Sequence, residues 1–280
     1  MSVLVEQTSP VLQVKGLKVT VKTEQGNLPL VHGVDFELKP GRILGLVGES
    51  GSGKTVTSLS LLQMLDRKMT TIEGSIRLNS RELNGLKEDE MRRIRGKEIA
   101  FIMQNPMNAF SPVYTLGTQF IETIRTHTSL SKKQAAELAA GAMSDLNLSN
   151  PAELLRQYPF ELSGGMLQRV MIALTMCLEP AVIIADEPTT ALDVTNQLQV
   201  LRQLDRVRQE HGTSILLISH DLGVIAELAD DVAVMQQGRI VEQADVFELF
   251  DHPQHAYTKT LLAARPMLQI SPEMAGCIWS

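Results

Sequence analysis

Residues 48–55 read Gly48-Glu49-Ser50-Gly51-Ser52-Gly53-Lys54-Thr55 and fit the pattern G-x-x-x-x-G-K-[ST]. A short apolar run, Ile43-Leu44-Gly45-Leu46-Val47, precedes this loop and is typical of a buried strand. Leu59, Leu62 and Leu65 follow it at helical spacing. The order strand, glycine-rich loop and helix predicts a mononucleotide-binding unit, and this context makes an accidental glycine-rich turn a poor alternative.

The chemistry of this loop points to a triphosphate. Glycines allow successive backbone N–H groups to face phosphate oxygens, and the helix that follows adds its positive N-terminal end. Lys54 can reach the terminal phosphates, and the hydroxyl of Thr55 can ligate Mg²⁺. We therefore expect all eight residues of the loop to bind ATP with Mg²⁺, namely Gly48, Glu49, Ser50, Gly51, Ser52, Gly53, Lys54 and Thr55.

A second acidic element lies at the end of the apolar run 182–185, where Asp186 and Glu187 follow directly. A carboxylate at the end of a buried strand can hold the water shell of Mg²⁺, which we assign to Asp186. Glu187 can orient or deprotonate the attacking water. Taken alone, the pair could equally cap a strand, but beside the phosphate loop it predicts a hydrolytic site.

The segment Leu162-Ser163-Gly164-Gly165-Met166 predicts a helix start, with Ser163 as the N-cap. Paired glycines permit close approach of the backbone to an anion at such a terminus. A plain helix start is the alternative interpretation. Because residues 48–55 already provide one phosphate cradle, an anion site here would require a partner site.

Composition and charge limit the possible functions. The net charge of −6 argues against a nucleic-acid partner. The two cysteines, Cys177 and Cys277, form no disulfide framework, which favours a reducing, cytoplasmic compartment. The N-terminus lacks a secretory signal, and every apolar run is shorter than the roughly 20 residues that span a bilayer. A membrane role would therefore depend on a partner.

The order of patterns along the chain predicts one α/β domain over residues 11–266. Residues 11–38 alternate as β-strands do, with a turn at Gln25-Gly26-Asn27. Residues of about 106–165 carry helix-start signals, including a capping box of Ser131 with Gln134, and predict an inserted helical subdomain. The tail 267–280 has no pattern that assigns it to an element.

Six elements in order resemble the nucleotide-binding subunits of ABC transporters. They are the loop at Gly48, Gln104 after an apolar strand, Leu162-Ser163-Gly164-Gly165, the pair Asp186-Glu187, Ala191-Leu192-Asp193, and His220 after the run 215–219. The resemblance covers nearly the whole chain. It implies an α/β P-loop NTPase, the ABC cassette, with an N-terminal antiparallel β-subdomain and an inserted helical subdomain.

The resemblance also implies that two cassettes pack head to tail with each ATP between them. Ser163 and Gly165 would then contact the γ-phosphate of ATP bound to the opposite subunit. Asp193 would organise the interface between the two nucleotide sites.

The remaining family elements imply the catalytic residues. Gln104 would contact the Mg²⁺ and water site together with Thr55 and Asp186, and would report its state to the helical subdomain. His220 would contact the γ-phosphate and hold the attacking water with Glu187.

Two positions depart from the family pattern. Met166 stands where the signature segment commonly has Gln, which implies an altered contact. Val21 stands where an aromatic side chain usually stacks on adenine, which implies loose nucleobase selectivity.

Finer similarities indicate the oligopeptide, dipeptide and nickel importer group. Residues 102–106, 108–112 and 186–194 are similar to that group, whereas residues 29–34 and 158–169 look most like its nickel or metal–metallophore importers. Peptide importers often have a C-terminal cysteine cluster, of which only Cys277 is present here. The sequence thus favours nickel transport, with oligopeptide or dipeptide transport as the alternative and a non-transport ATPase on ribosomes or DNA as a remote one.

The group's organisation implies the partners and the location. The chain would pair with a second cassette, preferably a different chain, and dock on two membrane-spanning permease subunits. An extracytoplasmic solute-binding protein would deliver the solute. The expected location is the cytoplasmic side of the cell membrane, as a peripheral subunit without a nucleic-acid partner.

Overall fold

The central sheet of the computed structural model positions the predicted site. The structure describes residues 9–190 and 192–264, so Ala191, the predicted boundary at residue 266 and the tail with Cys277 lie outside the described residues. The strands are β1 Leu12–Thr23, β2 Gly26–Leu38, β3 Ile43–Val47, β4 Thr70–Leu78, β5 Arg81–Glu82, β6 Ile99–Ile102, β7 Val182–Asp186, β8 Ser214–Ser219, β9 Asp231–Gln236 and β10 Arg239–Asp245.

Six strands form the central sheet in the order β10-β9-β3-β8-β7-β6 within the described ranges. All neighbours pair in parallel except β10 and β9, which form an antiparallel hairpin around Gly238. Both faces of this sheet are buried: Val182 and Ile184 pack with the strands of the second sheet, whereas Ile183 and Ala185 pack with the helices. This explains why the parallel strands read as continuous apolar runs.

The second sheet is antiparallel, in the order β2-β1-β4-β5. It confirms the predicted N-terminal antiparallel subdomain. The turn lies one residue earlier than predicted, because Thr23 pairs with Gly26 and the turn is therefore made by Glu24 and Gln25.

Helices pack against the central sheet, and several of them lie in the chain between β6 and β7. They are α1 Lys54–Leu61, α2 Glu88–Ile94, α3 Leu116–His127, α4 Lys132–Asp145, α5 Pro151–Leu154, α6 Gly164–Met176, α7 Val194–His211, α8 Leu222–Leu228, α9 Val246–Asp251 and α10 Ala256–Ala263. Short 3₁₀ helices span Pro106–Ala109 and Pro159–Glu161.

The segment predicted as a helical subdomain contains helices throughout. The capping box of Ser131 and Gln134 opens α4 as predicted. Pro151 begins α5, and Asn150 before it has a left-handed backbone and a side chain that makes no cap hydrogen bond. The extent of this region as a separate subdomain, 106–165, stays a prediction.

The first helix is shorter than its leucine spacing predicts. It ends at Leu61, and Arg95 donates to the carbonyls of Leu62 at 2.8 Å and Gln63 at 3.0 Å. These carbonyls are therefore satisfied without a further helical turn. Leu65 lies beyond the helix.

In residues 9–190 and 192–264, no helix combines the length and the apolar character needed to cross a bilayer.

Candidate functional site

The loop 48–55 connects β3 to α1, as predicted. Gly48 has a φ of 156°, and a Cβ placed there would lie 2.1 Å from the backbone oxygen of Met235. Gly53 has a φ of 108°, and its Cβ would lie 2.9 Å from the Met235 methyl carbon. Both positions therefore require glycine, because the loop runs directly against β9.

Lys54 bonds to the turn of its own loop. Its side chain is buried, and Nζ donates to the carbonyl oxygens of Gly48 at 2.7 Å and Glu49 at 3.0 Å. Burial lowers the pKa of Lys54, while the nearby carboxylates of Glu187 and Asp186 oppose that shift. The ammonium group is thus placed at the acidic end of β7.

Asp186 ends β7 and is only 5% exposed. Burial raises the pKa of Asp186, although a hydrogen bond from Thr55 and the charge of Lys54 favour the carboxylate. Among the described residues, Asp186 Oδ1 and the hydroxyl of Ser52 are buried without a hydrogen-bond partner. An unpaired buried oxygen is costly unless a ligand completes it, so these atoms fit Mg²⁺ and a phosphate group.

Glu187 is the centre of a second cluster, and the structure brings both predicted partners to it. Gln104 Nε2 lies 2.8 Å from Glu187 Oε2, and His220 Nδ1 lies 3.0 Å from Oε1. Thr190 was not predicted, yet its hydroxyl donates to Glu187 Oε2 at 2.9 Å. In the sequence, its position three residues after Glu187 could have indicated this contact, because that spacing allows a turn; in the structure Thr190 N donates to Glu187 O at 3.3 Å.

Two features fix the orientation of Glu187. Its backbone has a φ of 48°, a left-handed conformation that is unusual for a non-glycine residue, and its N–H donates to Ile218 O at 2.9 Å. Burial alone would raise the pKa of Glu187, but hydrogen bonds from His220 and Thr190 lower it below the usual range. The side chain is therefore an ionised carboxylate at neutral pH.

The predicted signature segment lies at the start of α6. Ser163 is the N-cap, as predicted, and its hydroxyl accepts from the N–H of Met166 at 3.3 Å. Ser163 is exposed, whereas Gly165 is buried, and a Cβ at Gly165 would lie 3.1–3.4 Å from the side chain of Asn196. In the part of the chain that the structure describes, no hydrogen bond links Ser163 or Gly165 to the loop 48–55.

Asp193 is joined to the signature segment through Asn196, a residue that the sequence patterns did not indicate. Asp193 caps α7, accepts from Asn196 N at 3.0 Å and accepts from Asn196 Nδ2 at 2.6 Å. These hydrogen bonds hold the pKa of Asp193 below its usual range. The same Asn196 side chain lies against Gly165, so the start of α7 packs against the start of α6.

The two positions that depart from the family pattern differ in exposure. Val21 lies half-buried in β1, paired with Leu28 and Thr70. Met166, at the start of α6, is 37% exposed.

A glycine loop between a buried strand and a helix, with its lysine facing the acidic end of a strand in the same sheet, defines a P-loop NTPase. The family model described as "ABC transporter" matches residues 31–190. The chain belongs to the ABC transporter family.

Relatives with curated names agree with this family. The chain is 44% identical over 271 residues to a Brucella melitensis protein provisionally named a peptide import ATP-binding protein, an alignment that covers 95% of this chain and 80% of the relative. It is 44% identical over 261 residues to the oligopeptide transport ATP-binding protein AppD of Bacillus subtilis, covering 93% of this chain and 80% of AppD.

Solved structures confirm the predicted fold. The ATP-binding cassette MJ0796, described as a dimer in a post-hydrolysis state bound to ADP and Pi, aligns with a TM-score of 0.75 at 23% identity over 84% of this chain and 98% of that chain. CbiO1 from Clostridium perfringens aligns with a TM-score of 0.72 at 22% identity over 87% of this chain and 92% of that chain.

Proposed function

We propose that the chain is the ATP-hydrolysing subunit of an ABC importer for oligopeptides. The observation that carries the ATPase assignment is the cluster around Glu187, in which Gln104, His220 and Thr190 orient one carboxylate. Lys54 is close enough to that carboxylate to affect its pKa. Phosphate-binding and water-orienting groups thus belong to one site.

The residues divide the hydrolytic work between them. The amides of residues 48–55 and the Lys54 ammonium bind the triphosphate, and Thr55, Asp186 and Gln104 hold Mg²⁺. The metal, when bound, neutralises charge that develops on the phosphate oxygens. Glu187 accepts a hydrogen bond or a proton from the attacking water, and His220 holds that water and the γ-phosphate in place.

Three hydrogen bonds fix the direction in which Glu187 faces. Gln104, His220 and Thr190 contact its two carboxylate oxygens, and the bonds from His220 and Thr190 lower its pKa. This arrangement supports a water-positioning role for the carboxylate.

The other half of the site is proposed to come from a second cassette. Ser163 is exposed at the positive end of α6, a terminus suited to an anion. Its position apart from the loop 48–55 supports a contact with ATP held by a neighbouring subunit. Asp193, tied to Gly165 through Asn196, would transmit changes at this interface.

Permease docking is proposed for the helical segment that follows Gln104. Leu116 N donates to Gln157 O at 2.9 Å, which brings the segments near residues 107–114 and 158–160 together. Both carry exposed large apolar side chains, namely Met107, Val113, Tyr114, Tyr158 and Phe160. Exposed apolar groups of this kind are typical of protein interfaces. Two permeases would hold the subunit at the cytoplasmic face of the membrane, and a solute-binding protein would supply the solute outside.

The sequence patterns and the named relatives indicate different transported solutes. The sequence favoured nickel, but the relatives reported above are named for peptide or oligopeptide transport. They support the alternative over nickel, and they give no support to a ribosome- or DNA-directed ATPase. We therefore propose oligopeptides as the solute class.

The test is uptake by cells that lack this chain. We expect labelled tri- to pentapeptide uptake to fall and to return with the wild-type gene, but not with Glu187→Gln, which is the matched control for protein level. Nickel accumulation should stay unchanged. Loss of nickel accumulation with normal peptide uptake would contradict the proposal and favour the original interpretation.

A further inference from the structure

The helix α10 reaches the nucleotide-binding loop from the far end of the described chain. The backbone N–H of Glu49 donates to the hydroxyl of Tyr257 at 3.0 Å, although the two residues are 208 positions apart. The Tyr257 ring is partly buried and packs against the core shared by the central sheet and the helices. The hydroxyl is therefore held by its ring at a defined place beside the loop.

The loop turns at Glu49, and both backbone polar groups of this residue are hydrogen-bonded. Its carbonyl accepts from Lys54 Nζ at 3.0 Å and from Ser52 N at 3.1 Å. Tyr257 holds the N–H of the same residue. Glu49 is thus fixed on one side by residues that bind phosphate and on the other by α10.

A carboxylate on β10 seats this helix. Glu242 accepts from Gln254 N at 2.7 Å through one oxygen and from His255 N at 3.0 Å through the other. His255 Nδ1 in turn accepts from Tyr257 N at 3.2 Å and caps the first turn of α10. Backbone N–H groups at a helix start are otherwise unpaired, so Glu242 fixes the position from which Tyr257 projects.

We propose that Tyr257 is a positioning residue for nucleotide binding, which keeps the loop 48–55 in its binding conformation and is itself placed by Glu242. This inference rests on the proposed binding of ATP by that loop. A loop that is already ordered loses less conformational freedom when it binds its ligand. Removing the hydroxyl should therefore weaken nucleotide affinity without altering the hydrolytic groups around Glu187.

The test compares Tyr257→Phe with Thr260→Val, which removes an exposed hydroxyl from the same helix, where it donates to Ala256 O at 3.1 Å. Calorimetric titration with MgADP should give a dissociation constant about three- to tenfold higher for Tyr257→Phe, in line with the loss of one hydrogen bond. Thr260→Val should match the wild type. In the assembled importer, KM for ATP should rise by the same factor while kcat stays unchanged.

The outcomes separate this inference from the proposed function. If the wild type binds no MgADP, the proposed function fails. If the wild type binds and Tyr257→Phe binds equally well, or loses kcat instead of affinity, the role of Tyr257 is wrong.

A double-mutant comparison tests the role of Glu242. Glu242→Ala alone should weaken MgADP binding, and adding Tyr257→Phe should then have little further effect, because the hydroxyl is no longer seated. The full loss of affinity from Tyr257→Phe in both backgrounds would overturn the assignment of Glu242.

Discussion

The loop 48–55 and the start of α6 are both built to approach a phosphate, yet they differ in how they satisfy their own polar groups. Lys54 and Asp186, at the loop, are each 5% exposed and interact with their own chain. Ser163, at the start of α6, is exposed, and its hydroxyl caps its own helix. One half of the proposed site is preorganised inside the molecule, and the other is presented outward.

This difference has an energetic reason. Buried charges are costly unless hydrogen bonds or opposite charges compensate them, so the loop half must be assembled when the chain folds. An N-cap at the surface is satisfied by its own helix and leaves a positive terminus open to an anion. We therefore expect changes at the loop half to alter one chain, and changes at α6 to alter its assembly.

The largest expected effect comes from Glu187→Gln. Gln retains an oxygen that can accept from His220 or Thr190 but cannot take a proton, so ATP turnover by the assembled importer should fall about 100- to 10,000-fold. ATP binding should persist and hold the cassette pair closed. Glu227→Gln, at an exposed position in α8, is the control and should keep normal turnover. Parental turnover in Glu187→Gln would remove the residue from its assigned role.

Lys54→Ala tests the loop half directly. It deletes the buried ammonium that bonds to the carbonyls of Gly48 and Glu49, and it leaves two loop carbonyls and the nearby carboxylates without their cation. We expect MgATP affinity of the chain to fall about 100-fold, the scale of a lost buried charge interaction with phosphate. Lys132→Ala, at an exposed position in α4, should bind as the wild type does. Unchanged affinity in Lys54→Ala would contradict the loop assignment.

The sequence predicted the loop half well because its signals are local. A run such as Ile43–Val47 beside G-x-x-x-x-G-K-T leaves few alternatives for the chain, and the structure has the expected strand, loop and helix. The leucine spacing failed only at the end of α1, where Arg95 from a distant element satisfies the final carbonyls. Local patterns do not contain such long-range contacts.

The residues that sequence reasoning missed share this cause. Asn196 matters because α7 packs beside α6, and Tyr257 matters because α10 lies against the loop. No sequence pattern assigned either residue this role, and each acts through a residue far away in the chain. Gln104 and His220 are also far from Glu187 in sequence, and the family resemblance indicated them before the structure brought them together.

Ser163→Ala tests the outward half. It removes an N-cap, which should destabilise the chain by about 1 kcal/mol, as Ser131→Ala should at the start of α4. If Ser163 also contacts ATP on the partner cassette, only Ser163→Ala should reduce turnover of the assembled importer, by about tenfold for a hydrogen bond to a charged group. MgADP affinity of the single chain should stay normal. Equal turnover in the two serine variants, measured beside their melting temperatures, would restrict Ser163 to capping its own helix.

The smallest expected effect, a gain, comes from Val21→Tyr. In the proposed site the loop 48–55 binds the phosphates. Val21 offers no aromatic face to a base, and its strand neighbours are Leu28 and Thr70. A tyrosine there is compatible with a β-strand and supplies a stacking surface, so ATP affinity should rise about fivefold, which corresponds to the low end, about 1 kcal/mol, of base–aromatic stacking. Val21→Leu adds apolar volume without an aromatic ring and should leave affinity unchanged. Separate titrations of the protein with ATP and with a base-free triphosphate distinguish the two explanations. Only the affinity for ATP should rise. A similar gain with the base-free triphosphate would place the effect in the loop instead.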